Sequence, residues 1–231
     1  MTRWYDSGRN GFDAIQSTPA DRPTLVPNAV NGQPALNFDG QNQETTDPDD
    51  TDGQFLRLDR DVSDLNLNED SGMVVIAVVR VEEFDRGGTW TIGEAGETGG
   101  EFSMRTCSTY YFDGCSVGGD ASGEWRAQQF GVSDVDFTSP DTDGQWAVLV
   151  HSYDGKQVSV RVNGEALASE SADLDLGTSR DIQLGRWERT PGDPHWYFDG
   201  QMAEVLIFDQ SLAIEDIENA ESYLNTKYPI Y

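Results

Sequence analysis

Two uninterrupted apolar runs constrain this chain more than any other feature. MVVIAVVRVEEF (73–84) and FDGQMAEVLIFDQSL (198–212) are hydrophobic at successive positions, so one face cannot hold all of their side chains. An extended chain points alternate side chains to opposite sides, and a run of this kind therefore reads as a strand covered on both faces. In the second run Met202, Leu206 and Phe208 fall on one side and Ala203, Val205 and Ile207 on the other, after an Asp-Gly turn at 199 and 200. Glu204 interrupts it, and a carboxylate among apolar neighbours must be solvated, paired or hydrogen-bonded. Beyond Leu212 the period becomes helical. Ile214, Ile217, Glu221 and Leu224 share a stripe, Glu215 and Asp216 occupy the first turn, Lys227 the last, and Pro229 is a stop.

The rest of the chain reads as strands and turns. QFLRLDR (54–60) alternates cleanly, Ala35–Phe38 ends in Asp39-Gly40, and DIQLGRW (181–187) alternates again. WAVLVHSYDGKQVSVRVNGEAL (146–167) is the clearest hairpin, with strands Ala147–Tyr153 and Gln157–Val162 about an Asp154-Gly155 turn. The length and 36% hydrophobic content suffice for one large core, and a single domain over 1–231 is expected.

The closing segment, an aromatic-Asp-Gly turn, a strand with Ala-Glu-Val, a short helix and a final Tyr-Leu…Lys-Tyr, resembles the end of laminin-G-like, concanavalin A-like lectin and glucanase domains. WYDSG (4–8), NGQPALNFDG (31–40) and the 146–167 hairpin agree in order. The resemblance implies an all-β, two-sheet antiparallel β-sandwich jelly roll with one short C-terminal helix, the two long apolar strands lying one in each sheet. It leaves function open, because the same sandwich carries lectins, glycosidases, lyases and adhesion modules.

Charge narrows the partners. The net charge of −27 arises from 27 Asp and 15 Glu against 13 Arg and 2 Lys. Few lysines beside excess aspartate is similar to proteins of salt-loving microbes, where salt screens the self-repulsion; an ordinary acidic secreted protein is the other reading. Nucleic acid is excluded as a partner for want of a basic footprint. No apolar stretch reaches the roughly 20 residues of a membrane span, so no membrane insertion is expected. Met1 is followed almost at once by Trp4 and a strand motif, so no signal peptide is expected. An extracellular location, or the surface of a virion released by lysis, fits both. Cys107 and Cys115, in CSTYYFDGC, fit a disulfide across a loop, the alternative being two reduced thiols. With His151 and His195 the only histidines, zinc is not expected.

Neither the paired-glutamate strand of the glycosidases on this sandwich nor the lyase motifs is found, and Glu204 matches a structural glutamate of the family. A non-catalytic recognition or adhesion domain is therefore expected, with a glycan or a cell-envelope protein as partner. Its alternatives are a capsid, turret or tail decoration protein assembling as a homo-oligomer or with virion subunits, and thirdly a polysaccharide-degrading enzyme using Glu204 or Asp209. Neutral sugars are held by aromatic faces with carboxylates and amides around them. Tyr110 and Tyr111, with Phe112 and Asp113, supply that mixture in one loop; Trp187, Glu188, Asp193, His195 and Trp196, with Arg189, supply it in another. Trp90 and Trp125 could add to them, and the alternative is that these aromatics cap the ends of the sandwich. Calcium is the expected cofactor. By the resemblance its ligands are Asp39 and Asp199, with Asp6 nearby in pattern, although each also reads as an ordinary turn residue; the acidic loop 41–53 is the second choice.

Overall fold

The computed structural model describes residues 1–8, 10–40, 53–65, 72–84, 87–93, 98–107, 123–129, 131–139, 142–176, 181–188 and 195–231. Among these, the strands form two sheets. The first runs in the order β1 (Arg3–Trp4), β2 (Ala14–Ile15), β5 (Leu56–Asp61), β14 (Asp181–Leu184), β7 (Gly88–Gly93), β8 (Glu101–Thr106), β9 (Glu124–Gln128), β10 (Val135–Thr138). A hairpin of β15 (Arg186–Glu188) and β16 (His195–Tyr197) joins it at β7. The second runs β13 (Glu165–Ser171), β12 (Gln157–Val162), β11 (Trp146–Tyr153), β6 (Met73–Val81), β17 (Gly200–Phe208), β4 (Gln33–Phe38), β3 (Thr24–Val30). Pairing is antiparallel throughout both sheets, apart from a single parallel pair between β16 and β7 and an isolated bridge at Val81. The fold is a concanavalin A-like β-sandwich with one helix, α1 (Ile214–Lys227), near the C-terminus.

Burial explains why the 73–81 run is apolar at every step. Met73, Val75, Ala77 and Val79 face the first sheet and meet Trp90, Phe102 and Met104. Val74, Ile76 and Val78 face the other way and are covered by Ile217, Leu224 and Tyr228 of the helical segment. Each of the valine, isoleucine, leucine and methionine side chains contributes roughly 1.5–3 kcal/mol on leaving water. The helical stripe reads correctly at Ile217, Glu221 and Leu224, whereas Ile214, at the first position, is 56% exposed.

Four expectations are corrected. The two apolar runs do not lie in separate sheets; β6 and β17 are hydrogen-bonded neighbours in the second sheet. Nor is β17 buried along its length, because only Gly200–Met202 are buried and 203–208 are partly exposed. Its faces also differ: the register shifts between Met202 and Glu204, so Met202, Val205 and Ile207 face the space between the sheets while Ala203, Leu206 and Phe208 face the helix. A bulge adds one residue to one strand and reverses the alternation beyond it. In the 146–167 hairpin the turn is centred one residue later than expected. Asp154 N–H donates to Gln157 O at 3.2 Å, leaving Gly155 and Lys156 as its tip.

Candidate functional site

The outward face of the first sheet is polar yet closed to water. Register places Gln183, Thr91, Ser103 and Gln128 in one row across β14, β7, β8 and β9, and Arg105, Arg126 and Asp136 in the next across β8, β9 and β10. All but Asp136 are at most 8% exposed. Two arginines directly opposite each other repel unless carboxylates or amides intervene. Here Arg126 is held by Asp136 at 2.6 Å and Asp134 at 3.1 Å, and Arg105 Nε donates to Gln128 Oε1 at 2.6 Å. Beside them Arg186 Nε donates to Gln183 Oε1 at 2.8 Å and Thr91 Oγ1 to Arg186 O at 2.9 Å. Ser103 Oγ, in the middle of its row, is buried without a hydrogen-bond partner. None of these residues was singled out from sequence, since polar side chains at alternate positions of EFSMRT and EWRAQ read as a solvated face. The available signal was arginine in the middle of two consecutive strands.

The β15–β16 hairpin brings Trp187 and Trp196 together at the edge of this floor. Their rings stack with centroids 4.1 Å apart and 10° from parallel. Trp187 is 2% exposed, its Nε1–H donating to Glu101 Oε1 at 2.6 Å, so it supports Trp196 instead of meeting a ligand itself. Trp196 is partly exposed, with the Arg105 guanidinium 5.5 Å from its ring centroid. Glu188 and His195 are in register on the hairpin strands, and Tyr110, Tyr111 and Asp193 lie outside the described residues. Trp90 and Trp125 are fully buried core residues. Cys107 is buried and disulfide-bonded; Cys115, the chain's other cysteine, lies outside the described residues.

The three aspartates expected to share a cation do not converge. Asp6 accepts hydrogen bonds from the amides of Gly8 at 2.6 Å and Phe12 at 3.0 Å and closes its own turn. Asp39 and Asp199 do approach each other, because β4 and β17 pair at Phe38 and Gly200. Their glycines are required by packing, as a Cβ on Gly40 would stand 2.9 Å from that of Asp199 and one on Gly200 2.3 Å from Arg80 O. Burial, with Glu82, Glu83 and Asp39 close by, pushes the Asp199 carboxyl up to about 6. Hard oxygen donors with excess negative charge suit calcium. Among the described residues, however, no three acidic, histidine or cysteine side chains form a metal shell, so Asp39 and Asp199 would need other ligands beside them.

Glu204 is tied into the structure. It accepts from Lys227 Nζ and from Tyr228 OH, each at 2.8 Å, and so fastens the end of α1 to β17. Alongside lies an open cleft of about 560 Å³ between the N-terminal segment and 203–209, lined among others by Trp4, Phe12, Leu58 and Ile207.

A two-sheet sandwich with a polar outer floor and an aromatic pair at its margin defines a lectin-like domain. Residues 60–218 match the Concanavalin A-like lectin/glucanases superfamily in its laminin G form, and the chain belongs to that family. No curated protein matches it by sequence. Among solved structures it is similar to the binding domain of botulinum neurotoxin DC in complex with rat synaptotagmin II, with TM-score 0.58 and 12% identity over 97% of this chain and 51% of that one. It is also similar to the binding domain of Paraclostridial Mosquitocidal Protein 1, with TM-score 0.59 and 11% identity over 96% and 50%. The heptameric SAP-like pentraxin of Limulus polyphemus matches with TM-score 0.52 and 12% identity over 81% of each chain. The chain thus spans about half the length of the toxin chains it matches. At these identities the likeness is one of fold.

Proposed function

We propose that this domain is a non-catalytic recognition module that binds a neutral glycan outside the cell, in a high-salt setting. The observation that carries the reading is the partly exposed ring of Trp196, stacked on the buried Trp187 at the margin of the polar row. The row of amides, hydroxyls and guanidinium groups behind it is at most 8% exposed and forms a buried polar backing to that margin. Trp196, braced by Trp187, gives the margin a rigid aromatic surface of the kind that meets sugar C–H groups. The net charge of −27 supports the high-salt setting and disfavours anionic ligands. Glu204, the acid an enzyme reading would use, is engaged with Lys227 and Tyr228. Structural calcium at Asp39 and Asp199 belongs to the same proposal.

A neutral-glycan array at molar salt, read for the natural chain and for Trp196→Ala, tests it. The expected result is a ligand whose binding the substitution weakens. Silence across neutral glycans, or binding indifferent to the change, rejects the reading.

A further inference from the structure

The cleft beside β17 follows from an unfinished ladder. β17 pairs with β6 along its whole length, but with β4 only from Gly200 to Met202. There the bulge at Ala203 intervenes, and on β4 the next residues toward the turn include Pro34, which has no N–H to offer. The β3–β4 turn instead reaches the end of the helix, where Asn31 Nδ2 donates to Pro229 O at 2.8 Å. The edge of β17 over 205–208 consequently has no strand beside it among the described residues. Its Val205 and Ile207 remain partly exposed although they pack on the central core. A strand edge with apolar side chains on both faces is a template for another strand.

We infer that this edge receives an extended, cationic polypeptide segment of a partner protein, which adds to β17 as a further strand and places alternate apolar side chains in the cleft. Main-chain hydrogen bonds would supply affinity, and pockets for alternate side chains would supply specificity. Charge selects the occupant. Among the described residues, the charged groups lining the cleft are three carboxylates, Asp6, Glu204 and Asp209, against one cation, Lys227, which is itself bonded to Glu204. The described charges of the cleft are thus net negative, and a segment carrying lysine or arginine offsets them. An uncharged sugar would use neither the carboxylates nor the strand edge.

The probe is a synthetic peptide of about nine residues that alternates Val or Ile with Thr and carries Lys at both ends. Its binding to the intact protein is followed by calorimetry and by amide hydrogen exchange. The expected result is saturable binding with slowed exchange at 205–208. Affinity should fall about tenfold or more when the terminal lysines become glutamates, and vanish when alternate peptide nitrogens are methylated. The inference is overturned if the lysine peptide does not bind the folded protein, or if the methylated peptide binds equally well. It is also overturned if exchange slows elsewhere but not at 205–208. Protection of the same amides by a neutral oligosaccharide, or by self-association without peptide, assigns the edge to another occupant and equally overturns it.

Discussion

Trp187 lies between Glu101 and Trp196: its indole N–H is bonded to the buried carboxylate at 2.6 Å while its ring stacks on its neighbour at 4.1 Å. The two tryptophans therefore have different tasks despite their contact. Trp187→Ala empties a closed site and leaves Glu101 short of a donor, which should cost about 3–5 kcal/mol. Trp196→Ala removes a partly exposed ring and should cost on the order of 1 kcal/mol, chiefly the stacking. Urea unfolding of the two variants checks this ordering, and equal losses would contradict it.

The helix is fixed to the second sheet by a buried ion pair. Glu221, 2% exposed, accepts from Arg161 Nε at 3.1 Å and Nη2 at 3.0 Å, and its other oxygen has no partner. Glu221→Ala leaves the guanidinium without its main counter-charge and should destabilise by roughly 3 kcal/mol. Replacing both, Arg161→Met with Glu221→Leu, should return stability to within about 1 kcal/mol of the natural protein. A double-mutant cycle by chemical denaturation reads both values. If the two single changes simply add, the pair is not coupled.

The sandwich was legible because a strand buried on both faces is apolar at successive positions, as in Met73–Val81, and because alternation exposes a hairpin such as 146–162. What the pattern missed has physical causes. A strand pattern assumes one residue per pleat, so the extra residue at Ala203 reversed the assigned faces of Val205 and Leu206. Periodicity also cannot distinguish a polar side chain in water from one buried in a hydrogen-bonded row, which hid Ser103, Arg105 and Arg126. Of the loop aromatics, composition singled out both Trp187 and Trp196, but only the hairpin register shows that one braces the other.

His151 should make stability fall in acid. It is fully buried between the sheets, stacked on Phe102 at 3.6 Å, and burial pushes its pKa from 6.5 down to about 3. With the Gln129 amide oxygen turned toward it, Nε2–H donates at 3.1 Å and the ring stays neutral. Below pH 6.5 the unfolded chain takes up a proton that the folded chain refuses until about pH 3. Stability is therefore complete above 6.5 and is lost as pH falls across that window, by up to about 1.4 kcal/mol per pH unit. His151→Leu should cost stability at pH 7.5 and progressively less toward pH 4. A difference between the two proteins that does not change with pH would show that the imidazole is not held neutral.

Asp199 works with the opposite sign. Its carboxyl is raised from 3.8 to about 6, first by burial and then by Glu82, Glu83 and Asp39. Between these values the folded chain holds a proton that the unfolded chain has released, so the stability this group contributes is present below pH 3.8 and is lost as pH rises through 6. Asp199→Asn should therefore stabilise the protein at pH 7.5, by no more than about 1 kcal/mol because the group is partly solvated and screened, and the gain should disappear near pH 3.5. A calcium ion at Asp39 and Asp199 would offset the same repulsion, so millimolar calcium should raise the melting temperature of the natural protein at pH 7.5 and raise that of Asp199→Asn much less. Equal shifts in both proteins would place any calcium elsewhere. No shift in either would dismiss the ion while leaving the repulsion intact, since the pH-dependent gain of the asparagine variant is measured without metal.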